Sequence, residues 1–181
     1  YSDSIAKLVA WHRYYTRFWK QSVLYCDFRY PDFYNGNAPN NRGITGEGEQ
    51  KFLNAVTGRN MSFTDGIEMG RKIWNLDNAI WTLQGRHRDM VHFADYLYTQ
   101  PSFSLSGHPE YMPGKENGKW QYIETLGRSF EKDKFEEFKS RFYKLQGWEE
   151  SSGYPKASTL KSLNLDHVAH ELGQNGKLGK G

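Results

Sequence analysis

The residues best equipped for chemistry are few and scattered. Cys26 is the only cysteine among 181 residues. A lone thiol excludes an internal disulfide and any metal site completed by the cysteines of this chain alone. Taken by itself, such a residue is more often a small buried hydrophobe than a ligand or nucleophile. Its placement adds information: it ends an aromatic-rich helical stretch and precedes an irregular one, where backbone could wrap a bound group. His167 and His170 stand three apart and could share one side of a helix and a metal, but no third ligand lies nearby in sequence. Both therefore read as surface or capping histidines. Glu171 follows His170 without the second histidine of a zinc-protease helix. Arg86-His87-Arg88-Asp89 lies just past the end of a helical stripe, where cations complement the helix dipole. Anion or substrate handling is the other use for that cluster. Gly43, Gly46 and Gly48 imitate a phosphate cradle, yet Glu47 and Glu49 would repel phosphate and no strand precedes them. No nucleophile elbow, P-loop or dinucleotide fingerprint occurs.

The elements that must position these residues are mainly helical. Residues 4–25 carry Ile5, Leu8, Val9, Trp11, Tyr15, Phe18, Trp19 and Val23 at three- and four-residue steps, with Asp3 or Ser4 as the expected cap. Residues 27–46 hold Pro31, Pro39, four Asn and three Gly without any period, and are expected to form a long ordered loop. A short helix is expected over Glu47–Val56, stopping at Thr57-Gly58. A longer one follows, capped by Ser62 or Thr64, striped by Ile67, Ile73, Trp74, Leu76, Ile80 and Leu83, and closed at Gly85. Another short helix is expected over Arg88–Tyr98. Residues 101–130, with three Pro and four Gly, read as a second long irregular loop. From Asp133 a helix presents Phe135, Phe138, Phe142 and Leu145 on one face and ends at Gly147. Two short helices, through Leu163 and from Asp166 to Leu172, precede a tail over 173–181 expected to fray. The expected class is all-α, an irregular helical fold with two long loops.

Composition narrows the partners. Lys and Arg number 24 against 21 Asp and Glu, a net charge of +3, which lacks the one-sided cluster of a nucleic-acid binder. No apolar run approaches the ~18–20 residues that span a bilayer. Neither a signal-peptide pattern nor a cysteine framework is evident, so a reducing, cytoplasmic setting is expected. The aromatic share is 16% within a hydrophobic total of only 37%, so much of the apolar area must come from rings, many with a polar edge that needs a partner.

Three stretches together resemble one known family. GRKIWNLDNAIWTLQGRHRD (70–89) is similar to a Gly-Glu-Arg-Ile-x-Asn-Leu helix near the C-terminus of the aldehyde:ferredoxin oxidoreductases. ITGEGEQKFLNAVTGRNMSFTDGIEMG (44–70) resembles the family's preceding short helix, Thr-Gly stop and capped helix. FYKLQGWEESSGYPKASTLKSLNL (142–165) resembles its closing motif: an aromatic pair, Gly-Trp, a Gly-x-Pro turn and a Thr-x-x-x-Leu helix. The segments occur in the family's order. The resemblance covers almost the whole chain but only the C-terminal part of the family's polypeptides, which implies that residues 1–181 are a segment of a larger enzyme whose remainder is its first partner.

The resemblance further implies a tungsten (or molybdenum) bis-pyranopterin beside one 4Fe-4S cluster, both soluble-enzyme cofactors of this family. Three cluster cysteines would come from upstream and the fourth from an Asp-x-x-Gly-Leu-Cys motif that also touches a pterin. QSVLYC (21–26) corresponds to it, which makes Cys26 the metal ligand and Gln21, Ser22 and Tyr25 the pterin contacts. Gln21 replaces the motif's Asp and loses its charge, Leu24 replaces its Gly, and Tyr25 replaces its Leu. The implied reaction is oxidation of a small aldehyde to a carboxylic acid, with electrons passed to ferredoxin or a partner iron-sulfur subunit. A class II benzoyl-CoA reductase-type subunit and a cofactor-free helical scaffold of the same fold are the alternatives. The family's acid and base residues fall upstream, so no catalytic residue is assigned here.

Overall fold

A computed structural model of the chain describes residues 1–23, 37, 47–103, 107 and 109–181. The expected loop 27–46 lies outside them, apart from Asn37. Helix α1 (Asp3–Tyr15) is capped by Ser2, not by Asp3 or Ser4, because the Ser2 hydroxyl accepts from the Ile5 amide. Asp3 in the first turn complements the helix dipole. The rod continues through a π-helical turn (Thr16–Lys20) into α2 (Gln21–Val23).

Helix α3 (Glu47–Thr57) stops where expected, with Gly58 at φ +68° and its amide on the Asn54 carbonyl. Helix α4 (Phe63–Leu83) begins with a full capping box: Ser62 Oγ accepts from the Asp65 amide, and Asp65 accepts from the Ser62 amide. It is the central post of the fold, and two of its glycines decide how. A Cβ on Gly66 would fall inside the Trp19 indole, and one on Gly70 inside the Tyr14 carbonyl. These positions, one turn apart, let α1 and its π-turn press backbone and ring directly onto α4. Each glycine costs about 1 kcal/mol of helix propensity relative to alanine, and the close packing offsets it.

The expected helix over Arg88–Tyr98 splits into a 3-10 turn (Arg88–Met90) and a single turn α5 (Tyr96–Thr99). The Lys139 ammonium donates to the Val91 carbonyl at 2.8 Å and the Arg88 carbonyl at 3.4 Å, so a side chain takes the acceptors that a helix would use. Phe93 leaves the backbone line to pack on Phe130 and Phe135.

The all-α expectation needs amending. Within 101–130, strands β1 (Tyr111–Glu116) and β2 (Lys119–Glu124) form an antiparallel hairpin, pairing Tyr111 with Glu124 and Glu116 with Lys119. Asn117 and Gly118 form its turn, with φ of 49° and 77°. Asn-Gly is the dipeptide most suited to a two-residue hairpin turn, since both central residues need positive φ.

Helix α6 (Lys132–Gln146) ends on Gly147 in the left-handed conformation, as expected. Its buried face differs from the predicted stripe: Lys139, Tyr143 and Gln146 point inward and Leu145 is exposed. Helices α7 (Ala157–Ser162) and α8 (Asp166–Gln174) close the structure. Leu160, Leu163, Leu165, Val168, Ala169 and Leu172 pack on Ala79 of α4. A second cluster joins Trp74, Tyr143 and Trp148, flanked by Tyr14, Trp81 and Phe142. The tail expected to fray is tied down instead. The Gly179 amide bonds the Pro155 carbonyl, and the Lys177 ammonium bonds the carbonyls of Thr82 and Leu83 at the end of α4.

Gly70→Ala should destabilise the protein by roughly 1–3 kcal/mol, because backbone rather than a flexible side chain occupies the space. Urea unfolding monitored by circular dichroism measures it. Gly173→Ala is the internal control, since a Cβ there meets nothing and the helix should gain stability.

Candidate functional site

The segment that resembles a cofactor-binding motif begins on α2. Gln21 is exposed, while Ser22 is half-buried and its hydroxyl donates to the Trp19 carbonyl at 2.8 Å. That bond commits the Ser22 proton to its own helix and leaves the oxygen's lone pairs to accept. Tyr25 and Cys26 lie outside the described residues. What the structure defines is the mount from which that segment departs.

The mount is a buried ionic clamp. Lys20 Nζ lies 2.7 Å from Glu49 Oε1, with the two side chains 9% and 1% exposed. The Tyr15 hydroxyl donates to the same carboxylate oxygen at 2.9 Å, and the Lys20 ammonium sits 5.5 Å from the Tyr15 ring centre. Beside it the Trp19 indole is fully buried, donates from Nε1 to the Phe63 carbonyl at 3.0 Å, and stacks on the Phe63 ring. The π-turn makes this possible. Trp19 and Lys20 are sequence neighbours that a regular helix would aim about 100° apart, and one extra residue in the turn lets both bury. Such turns are frequent at functional sites. The paired charges hold the rod against α3.

Sequence reasoning missed the clamp. In sequence Glu49 stands out only as a charge hostile to phosphate; in the structure it is the counter-ion of Lys20. The available signal was a lysine directly beside Trp19, on the side of the rod that otherwise carries rings. Of the glycines 43, 46 and 48, only Gly48 is described, buried in the first turn of α3.

The Arg86–Asp89 cluster divides by role. Arg88 is structural: it donates to Ser140 Oγ, to the Glu150 and Glu136 carbonyls and to the Glu136 carboxylate, tying α6 to the loop before α7. His87 pairs with Asp89 at 3.0 Å and meets the Tyr154 ring edge-on. Arg86 lies over Trp81. Burial opposes ionisation of Glu136, but its bonds to Lys139 and Arg88 outweigh that and hold its carboxyl below the ordinary value. His167 and His170 are both exposed. Among the described residues, no three His, Cys, Asp or Glu side chains gather as a metal site. No described helix is long and apolar enough to cross a membrane.

The family model described as aldehyde ferredoxin oxidoreductase, domains 2 and 3, matches residues 1–165. The match places the protein among oxidoreductases. More particularly, the chain belongs to the aldehyde ferredoxin oxidoreductase family, within the part formed by domains 2 and 3. No curated protein matches it.

Lys20→Met removes the cation from a carboxylate that is 1% exposed, and should cost about 3–5 kcal/mol in urea unfolding. Replacing both partners with apolar residues of similar volume should restore much of that loss. The Glu136 carboxyl, held below its ordinary value near 4.5, stabilises the fold fully above about pH 4.5. That contribution is lost as pH falls through the lower folded value. Glu136→Gln should therefore unfold at lower urea than the parent at about pH 6, with the gap narrowing as pH falls below the ordinary carboxylate value.

Proposed function

We propose that the chain is the C-terminal part of a tungsten-pterin aldehyde oxidoreductase. The observation that carries this reading is the family match over residues 1–165, which includes the Cys26 segment. Two further features support it. The clamp pins the rod up to α2, so the backbone leaves a fixed support three residues before Cys26. The exposed Gln21 amide offers both a donor and an acceptor to a heterocycle edge, as a pterin requires.

In this reading Cys26 supplies one thiolate to a 4Fe-4S cluster whose other ligands come from the remainder of the catalytic chain. Gln21, Ser22 and Tyr25 contact the tungsten (or molybdenum) bis-pyranopterin. The bound cofactors supply the redox chemistry, in which an aldehyde and water give a carboxylic acid, two protons and two electrons. A cluster held in part by Cys26 would supply one-electron transfer to ferredoxin or a partner iron-sulfur subunit. The part of this chain is to hold, orient and shield: a rigid mount for the ligand-bearing loop, and aromatic walls that exclude water. A cytoplasmic setting suits a reduced thiol.

The intact protein purified without oxygen should contain tungsten or molybdenum together with iron, and should reduce a viologen with simple aldehydes. Cys26→Ser should lose cluster iron and the cluster's electron paramagnetic resonance signal while the fold melts as the parent does. Protein free of all three metals, or activity confined to an aromatic thioester, sinks the proposal.

A further inference from the structure

Helices α1 and α4 bring three arginines onto two indoles. Arg13 and Arg17, one turn apart on the rod, lie 5.5 and 5.4 Å from the Trp74 ring centre. Arg17 also lies 5.9 Å from the Trp81 ring centre, and Arg86 4.9 Å from it. Trp74 and Trp81 are two turns apart on α4 and meet edge to face at 5.6 Å. The cluster holds one ion pair, Arg17 Nε to Asp77 at 2.9 Å. Among the described residues, the guanidiniums of Arg13 and Arg86 make no hydrogen bond or ion pair.

The helix dipole does not account for Arg86. The last turn of α4 already has its cation, because the Lys177 ammonium bonds the carbonyls of Thr82 and Leu83. The backbone amides of Gln84, Gly85 and Arg86 take those of Ile80, Thr82 and Trp81. Arg86 is thus left half-buried with its donor fork unmet, whereas neighbouring Arg88 is satisfied by four bonds. Burial and the like charge of Arg13 both pull the Arg86 guanidinium below its ordinary value, while the nearby Tyr143 phenol opposes them. An anion would relieve both effects.

We propose that Arg13, Arg17 and Arg86, gathered on Trp74 and Trp81, form a docking surface for an acidic polypeptide, with Arg13 and Arg86 each taking a carboxylate. Charge complementarity carries it: among the described residues, the three guanidiniums share one ion-pair partner, Asp77. A guanidinium stacked on a ring is held ready for a bidentate carboxylate, and little side-chain entropy is lost on pairing. Arginine and tryptophan are also the residues most enriched in interface hot spots. The proposal does not rest on the cofactor reading above.

The test uses the intact protein. Phenylglyoxal labelling read by peptide mass spectrometry should modify both Arg13 and Arg86, and an Asp/Glu-rich peptide should protect both, less so as salt rises. Titration of that peptide, followed by tryptophan fluorescence, should weaken about tenfold in Arg13→Gln/Arg86→Gln, with the unfolding midpoint unchanged. Three results overturn the proposal. One is failure of both arginines to react before any peptide is added, which means that another part of the polypeptide covers them. Another is protection by inorganic phosphate as strong as by the peptide, which means a small-anion site. The third is unchanged peptide affinity in the double variant.

Discussion

The fold depends on one steric fact: α1 approaches α4 so closely that the Tyr14 carbonyl and the Trp19 indole occupy the space where side chains of Gly70 and Gly66 would lie. No other residue fits at either position without displacing backbone or a buried ring. This contact fixes the tilt and rotation of the rod. The π-turn can then aim Trp19 and Lys20 inward, Glu49 of α3 meets Lys20, and Arg13 of α1 and Arg17 of the π-turn fall on the Trp74 indole of α4. Each feature of the candidate site follows from the same approach.

The second organising feature is the use of rings with polar edges. The Trp148 indole donates to Asn75 at 2.8 Å, Trp19 to the Phe63 carbonyl, Tyr14 to Gln146 and Tyr15 to Glu49. Their partners Asn75, Gln146 and Glu49 are almost wholly buried. An aromatic residue buries a large area and still needs one hydrogen bond, so a core built from rings draws amides and carboxylates in with it. The high aromatic share and the modest hydrophobic total are two sides of this arrangement. These buried bonds tolerate little shift, because displacement breaks a bond in a medium of low dielectric, although Trp74 Nε1 and Gln146 Nε2 find no partner among the described residues.

Membership of the family and the clamp bear on function in different ways. The family supplies the expectation of redox chemistry, and in the proposed reading the clamp is the support of the segment that follows α2. In that reading, a cofactor ligand needs a support that does not move when charge arrives or leaves. A rod pinned by an ion pair, an indole and two glycine contacts is such a support.

Much of the local structure was written in the amino-acid order. Ser62 with Asp65 marks the start of α4, Gly58, Gly85 and Gly147 mark helix ends, and the periodicity of α1 and α4 marks helices. These are short-range effects, governed by capping bonds and backbone sterics within a few residues. The family, too, was legible from three ordered stretches. Asn117-Gly118 was an equally local signal for the hairpin, obscured by charges in both flanking strands and by Pro113 in the first. Only tertiary structure decided which charges would meet. Lys20 and Glu49 are 29 positions apart and Arg13 and Arg86 are 73 apart. Helical pitch cannot say which face of α1 turns toward α4, because apolar and aromatic residues lie around much of the rod. That choice was made where α4 lacks side chains, at Gly66 and Gly70, through close packing between elements distant in sequence.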